Sequence, residues 1–210
     1  MVTLRCLSTL LFTFLLCSVS AQTAVEHEVK ADSLDAIYGK NKTILAKYRL
    51  ASLVALSYYP SLADERIRFE LKGINSTART TMTLFSIFRK INKQYIIYIN
   101  DDRKKTGILL DDAPFEAQVG LLAHELAHVL DYNTRSFFEM TWWGIKYALI
   151  KQQEAMEKGA DRITISHGAG WPLYAWATFV LENPSTKPSY LRMKKQRYLS
   201  PAAILQAIRK

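Results

Sequence analysis

Residues 121–130 read Leu-Leu-Ala-His-Glu-Leu-Ala-His-Val-Leu, and the rest of the chain can be placed around this stretch. Residues four apart on an α-helix are offset by only ~40°, so His124 and His128 project from one face, one turn apart. Glu125 falls ~100° round from His124, on the flank of the histidine pair. Just before this stretch, residues 111–114 (Asp-Asp-Ala-Pro) indicate a helix start with two candidate N-caps. The stretch therefore predicts a buried helix that offers two imidazoles to one metal ion.

The same spacing can arise by chance on an amphipathic helix whose histidines are satisfied by hydrogen bonds at the edge of a core. Two features favour a metal site. The flanking positions are apolar, and neither Pro nor Gly interrupts the run from His124 to His128. Gly120, one turn before His124, leaves that face of the helix without a side chain. We therefore expect another backbone to approach the helix closely at Gly120.

A catalytic zinc site generally has three protein ligands and one open position, so a real site predicts a third ligand further along the chain. Glu157 follows His128 by 157 − 128 = 29 residues, enough for a turn and most of a returning helix. Asp161 lies one helical turn beyond Glu157, on the same face. Its carboxylate is placed to accept the free ring N–H of a ligand histidine, which fixes the imidazole tautomer.

The pattern His124-Glu125-x-x-His128, followed by Glu157-x-x-Ala-Asp161, resembles the gluzincin group of zinc metallopeptidases, particularly the CAAX-protease and heat-shock-protease relatives. The resemblance implies a zincin-like fold and one Zn²⁺ per chain, held by His124, His128 and Glu157. It also implies that Glu125 is the general base acting on a zinc-bound water, with Asp161 orienting a ligand histidine. Those relatives are integral membrane proteins, whereas residues 22–210 contain no spanning stretch, so their substrates do not carry over.

The resemblance also suggests where a substrate would bind. Residues 94–100 form the strongest predicted strand, apolar on both faces, and in zincin-like proteins the strand nearest the metal helix pairs with an extended substrate. The candidate substrate-binding residues are Tyr95, Ile97, Tyr98, Ile99 and Asn100. An ordinary interior strand is the alternative.

Zinc peptidases often add a His, Tyr or Arg that stabilises the oxyanion, and His167, Tyr174 and Arg162 are the candidates here. His167 lies roughly 80° off the helical face of Glu157, which counts against it if the helix is straight. The alternative for His167 is a helix-terminal histidine near backbone carbonyls.

The first 21 residues have the pattern of a secretory signal peptide. Arg5 supplies the positive region, an apolar segment follows, and Val-Ser-Ala at 19–21 suits cleavage. Both cysteines, Cys6 and Cys17, lie in this segment, so the mature chain would have no thiol and no disulfide. We therefore predict export to the periplasm or the medium. A lipoprotein anchored at Cys17 is the alternative, against which the bulky Leu16 counts.

The remaining 210 − 21 = 189 residues, 22–210, fit one domain, since no linker or repeat divides them. Loss of Arg5 lowers the formal charge from +9 to +8. Basic residues crowd near the C-terminus, which predicts either a solvated helix face or contact with an anionic envelope polymer or membrane surface. They are Lys187, Arg192, Lys194, Lys195, Arg197, Arg209 and Lys210. Nothing indicates a nucleic-acid-binding module.

Local patterns complete the expected architecture. They predict a loosely ordered segment at 25–35, a helix at 43–58, a strand at 66–72, a strand in preference to a helix at 80–90, an aromatic helix or exposed apolar wall at 137–150, and a helix opened by Pro172.

Together these features predict an α+β, zincin-like fold, with a small mixed or antiparallel sheet packed on the metal-bearing helix and a mostly helical C-terminal half. The predicted function is an exported zinc metallopeptidase acting on peptides or proteins. The alternative is a secreted module on the same fold that binds zinc or peptides without turnover.

Overall fold

The computed structural model describes residues 28–83, 93–134 and 150–210. Helices dominate the last of these stretches. The helices are α1 (28–38), α2 (Arg49–Ser57), α3 (Arg103–Thr106), α4 (Phe115–Thr134), α5 (Ile150–Thr164), α6 (Gly170–Glu182), α7 (Pro188–Arg197) and α8 (Pro201–Ile208).

Four strands form one mixed sheet in the order β1-β2-β4-β3. They are β1 (Lys42–Thr43), β2 (Arg66–Leu71), β3 (Ala78–Met82) and β4 (Gln94–Ile99). The β1–β2 and β2–β4 pairs are parallel, whereas β3 runs antiparallel to β4. This sheet packs against α4 and is followed by the helical C-terminal half, which confirms the predicted α+β class.

The alternating pattern of β2 explains its position in the sheet. Ile67 and Phe69 are buried, while Arg66 is exposed and Arg68 and Glu70 are half-buried on the other face. In β4, by contrast, neighbouring residues on both faces are buried, as its continuous apolar run predicts. β4 is accordingly an interior strand, paired on both sides.

Helix α4 lies at the centre of the fold, with contacts to α2, β3, α5 and α6. It approaches the start of α6 closely, where Gly120 faces the backbone of Pro172. A Cβ atom on Gly120 would lie 2.0 Å from the Pro172 carbonyl oxygen. The expected close approach at Gly120 is thus confirmed.

Three local predictions were wrong in part. The segment expected to be loosely ordered was 25–35, but its described part, 28–35, belongs to α1. Ala31, Leu34 and Tyr38 lie on one face of this helix and pack on the core. Arg49 also pairs with Glu28, Asp32 and Asp35 at 2.7–3.0 Å. The helix expected at 43–58 is divided into a strand, a 3₁₀ turn and α2.

The third error concerns the start of the metal-bearing helix. Asp111 and Asp112 do not cap α4; they lie in a separate 3₁₀ turn. There Asp112 accepts the Leu109 N–H, and Asp111 pairs with Lys47. Pro172 lies in the first turn of α6, after Gly168, whose φ of 90° breaks the preceding helix.

Some predictions fall outside the described residues: the signal peptide at 1–21, the aromatic stretch at 137–149, and the part of the predicted strand at 84–90. Within the described ranges, no helix combines the length and the apolar character needed to span a bilayer.

Candidate metal centre

Two helices bring together the three side chains of the candidate metal centre. His124 and His128 face the same side of α4, and α5 presents Glu157 to them. Glu157 Oε2 lies 3.1 Å from His124 Nε2 and 3.2 Å from His128 Nε2. All three residues are buried, and their potential ligand atoms lie within 4.8 Å of one another. The described residues therefore contain a His, His, Glu triad that could hold a metal ion.

The two separations between Glu157 Oε2 and the histidine nitrogens fit a tetrahedral metal ion. Bonds of about 2.0 Å at the tetrahedral angle place neighbouring ligand atoms about 3.3 Å apart, close to the two observed contacts. Two imidazole nitrogens and one carboxylate oxygen are also a donor set that zinc accepts. The side chains present therefore fit the group that the sequence implies.

Asp161 fixes the orientation of His124. Its Oδ1 accepts the Nδ1–H of His124 at 2.8 Å, so that Nε2 is the nitrogen turned towards Glu157. Its Oδ2 accepts the backbone N–H of Leu199, also at 2.8 Å. Asp161 is only 1% exposed, so both bonds lie in the protein interior. Such a buried carboxylate orients the imidazole and makes Nε2 a stronger ligand.

The contact between His124 and Glu157 depends on a positive charge. Burial lowers the pKa of His124, but the hydrogen bonds to Asp161 and Glu157 outweigh it and raise that pKa to about 10. Burial likewise raises the pKa of Glu157, but the two histidines hold it well below its usual range. A neutral His124 with its proton on Nδ1 would point a lone pair at the Glu157 carboxylate. The contact therefore needs either a proton or a metal ion between these two atoms.

Glu125 lies beside the triad and is held by the sheet. Thr80, on β3, has its hydroxyl oxygen 2.8 Å from Glu125 Oε2 and 2.8 Å from the Glu125 carbonyl oxygen. The hydroxyl donates to one of these oxygens at a time. Both residues are buried. The Glu125 carboxylate is thus fixed beside the triad. No signal in the sequence indicates the hydrogen bond between Thr80 and Glu125.

A cavity of about 260 Å³ opens onto the triad. Its walls come from β3 and the residues just before it, from α4 and α5, and from the C-terminal end of α7. Glu125, His128 and Glu157 all line it. A small polar molecule or part of a peptide therefore has room next to the candidate ligands.

The strand beside this cavity is β3, not the predicted 94–100. β4 pairs with β2 on one side and with β3 on the other, so its backbone groups are already used within the sheet. Among the four described strands, β3 is at the end of the order next to α4. Tyr95, Ile97, Tyr98, Ile99 and Asn100 therefore do not offer a free edge to a substrate. Asn100 instead bonds the backbone of Ile74 and the side chain of Thr106.

The structure places the three predicted oxyanion-stabilising residues elsewhere. His167 stacks on Tyr59 with ring centroids 4.9 Å apart, and its Nδ1 lies 2.9 Å from the Ile163 carbonyl oxygen. Tyr174 meets Trp171 edge-on, and Arg162 borders a different cavity. None of the three lines the cavity at the triad. The helix-terminal alternative for His167 fits this arrangement.

Tyr198 is a functional candidate that the sequence reasoning missed. Its ring lies 5.4 Å from that of His124, and it lines the cavity at the triad. Burial raises the pKa of Tyr198 well above its ordinary value, and the negative charges of Glu157, Glu125 and Asp161 raise it further. The hydroxyl therefore stays protonated and can donate. Its position, 198 − 157 = 41 residues past Glu157, depends on how α7 packs, which no local pattern reveals.

Tyr198 also lines a second cavity. This second, mainly apolar cavity of about 340 Å³ extends between α6 and the C-terminal helices, with His124 and Asp161 in its wall. Lys194 is buried here, its Nζ 3.5 Å from the centroid of the Tyr198 ring. Tyr190 and Trp176 surround the same ammonium group at 5.6 and 5.9 Å. Lys194 thus departs from the solvated helix face expected for the C-terminal basic residues.

Comparison with known proteins gives no relative for this chain: no family model, no curated protein and no solved structure matches it. The site is therefore defined by its own geometry. That geometry is a buried His124, His128 and Glu157 triad of zincin-like form in an α+β fold.

Proposed function

We propose that this chain is a zinc-dependent metallopeptidase of the gluzincin type, with a zincin-like fold. One observation carries the proposal. The Nε2 atoms of His124 and His128 converge on Glu157 Oε2 at 3.1 and 3.2 Å, with Glu125 lining the same cavity. Two histidines and a carboxylate as ligands, with a second carboxylate close by but outside the ligand set, are what hydrolytic zinc sites need.

The reaction we propose is hydrolysis of a peptide bond. Zinc bound by the triad would act as a Lewis acid towards the scissile carbonyl and make a water molecule more acidic. Glu125 accepts the proton of that water and passes it to the leaving amine. Thr80 holds the Glu125 carboxylate in place through the 2.8 Å contact. Tyr198, protonated and in the wall of the cavity, donates a hydrogen bond to the carbonyl oxygen as negative charge develops there.

An extended peptide is the substrate that the surroundings of the site suit best. β3 lies between β4 and the cavity, and residues on it and just before it, among them Ser76, Ala78 and Thr80, form one wall. A peptide laid along this strand would place a backbone carbonyl near the triad by β-augmentation.

The setting we propose is outside the cytoplasm, in the periplasm or the medium, because of the signal-peptide pattern at 1–21. Peptides or proteins are the proposed substrates. The basic residues near the C-terminus, with Arg192, Lys195 and Arg209 exposed, would favour contact with anionic envelope polymers or a membrane surface.

The second candidate function is a metal-stabilised module that binds peptides without turnover. It is favoured by the fact that the triad joins α4 to α5, so an ion there would cross-link two helices.

Glu125→Gln separates the two functions, because the amide keeps the shape of the side chain but cannot accept the proton. The matched control is Glu116→Gln, which makes the same change at an exposed position on the same helix. We expect Glu125→Gln to retain zinc and lose chelator-sensitive cleavage of a mixed peptide library, while Glu116→Gln retains both and His128→Ala loses both. Cleavage by Glu125→Gln at the wild-type rate would remove Glu125 from the role of base. Zinc binding without any cleavage by the wild type would favour the non-catalytic module.

A further inference from the structure

A cationic side chain in the wall of the cavity at the triad lacks a partner. Arg197, the last residue of α7, lines this cavity together with Glu125 and Glu157. Its Nε is buried and has no hydrogen-bond partner among the described residues. Buried N–H groups without an acceptor are uncommon in folded proteins, and this one belongs to a side chain that lines the cavity.

The two acidic residues of the cavity do not pair with the Arg197 guanidinium. Glu125 and Glu157 line the same cavity, yet neither forms an ion pair with Arg197 in the described part of the chain. Glu157 is engaged by the two histidines, and Glu125 by Thr80. The guanidinium is therefore available to a molecule that enters the cavity.

Arg79 also borders the cavity, but it does not carry the argument. Side chains alternate along a strand, so Arg79 belongs to the opposite face of β3 from Thr80, which contacts Glu125. Arg79 is exposed, as its position on that face requires. Of these two arginine residues, Arg197 is therefore the better candidate to bind a ligand in the cavity.

Resting on the proposed peptidase function, we infer that Arg197 binds a carboxylate group of the substrate, next to the scissile bond. A guanidinium presents two parallel N–H groups that match the two oxygens of a carboxylate. The acidic residues around the triad would repel a free carboxylate, so a carboxylate bound there needs a cation of this kind. The carboxylate comes either from the C-terminus of a peptide or from an Asp or Glu side chain.

Binding of four N-acetylated tripeptides to the full chain tests this inference and separates the two sources. One pair is acetyl-Ala-Ala-Ala with a free C-terminus and the same peptide as its amide. The other pair is acetyl-Ala-Glu-Ala amide and acetyl-Ala-Gln-Ala amide. Calorimetric titration in the Glu125→Gln background prevents hydrolysis, and each titration is run with zinc and with a chelator.

We expect the carboxylate member of at least one pair to bind roughly ten- to a hundredfold more tightly than its neutral partner, the range for a hydrogen bond to a charged group. Arg197→Ala should abolish that difference. The matched control Arg192→Ala, an exposed change on the same helix, should keep it. A difference in the first pair assigns Arg197 to the C-terminal carboxylate, and one in the second pair to an acidic side chain.

Several results would overturn the inference. They are equal binding within both pairs, no binding of any probe, or a preference that survives Arg197→Ala. A preference that appears only with zinc and does not depend on Arg197 would assign the carboxylate to the metal instead. Because the chelated protein is tested as well, failure to bind zinc, which would sink the proposed function, is seen separately from failure of Arg197. Thermal melting of each variant identifies any that is simply unfolded.

Discussion

Adding a single methyl group at Gly120 should disrupt the packing that places the metal-bearing helix. In Gly120→Ala, the new Cβ would lie 2.0 Å from the carbonyl oxygen, 2.3 Å from the carbonyl carbon of Pro172, and 2.8 Å from the Leu173 nitrogen. All three are backbone atoms, so no side-chain rotation can relieve the overlap. Ordinary contact begins at 3.4 Å, and so α4 and α6 must separate by about 3.4 − 2.0 = 1.4 Å.

This separation sets the size of the expected effect. Overpacking of a close-packed interior costs about 1–3 kcal/mol and sometimes more, and a clash between two backbones belongs at the upper end. We expect a loss of about 3 kcal/mol, which for a chain of this length lowers the Tm by roughly 6–12 °C. Since His124 is one turn from Gly120, zinc affinity should fall as well.

Gly159→Ala is the matched control, because Gly159 also lies within a helix, between Glu157 and Asp161, but no atom lies within 4 Å of the position that its new methyl group would take. Relief of the glycine cost in a helix should raise stability by about 0.5–1 kcal/mol. Thermal unfolding of the metal-free proteins, followed by circular dichroism, measures both changes. A Gly120→Ala variant as stable as the wild type would refute the close approach of α4 and α6.

Three further predictions concern the site. Asp161→Asn should weaken zinc binding about 10- to 100-fold, because the amide no longer enforces the His124 tautomer. Competition with a chromophoric chelator measures the affinity, and an unchanged affinity would count against the role of Asp161. Thr80→Val should lower kcat/KM for peptide cleavage about tenfold, because the hydrogen bond to Glu125 is lost. Thr80→Ser keeps the hydroxyl and should stay near the wild-type value. Similar kinetics for the two variants would contradict a positioning role for Thr80. In the metal-free protein, the pKa of His124 rises from its ordinary 6.5 to about 10 on folding. Its contribution to stability is therefore fully present below pH ~6.5 and is lost as the pH rises towards ~10. Urea unfolding across this range should show that decline in the wild type and a weaker one in His124→Gln, and a rise in stability instead would show the sign to be wrong.

Much of the fold could be predicted because the relevant patterns are local. The alternation in β2, the apolar run of β4 and the apolar residues around the two histidines of α4 each determine their own secondary structure. The spacing from His124 to His128 and from Glu157 to Asp161 also depends only on helical geometry. That Glu157 would join the two histidines was predicted because a zinc site needs a third ligand. This chemical rule needs no knowledge of the fold.

What could not be predicted depends on contacts between distant segments. Whether β3 or β4 lies at the end of the sheet depends on strand pairing, and for the same reason the contact between Thr80 and Glu125 had no sequence signal. Tyr198 and Arg197 reach the cavity only through the packing of α7. Helix α1 is mostly polar, and its few apolar residues, Ala31, Leu34 and Tyr38, are buried only by the distant segments on which they pack.

Metal analysis of the purified chain tests the central claim most directly, with wild type compared to Glu157→Ala and to Glu154→Ala. Glu154 is on the same helix but pairs with Lys158, outside the triad, so its variant controls for loss of a carboxylate from α5. We predict about one zinc per chain in the wild type and in Glu154→Ala, and a sharply lower content in Glu157→Ala. No zinc in the wild type, or equal zinc in all three proteins, would contradict a metal centre built from His124, His128 and Glu157.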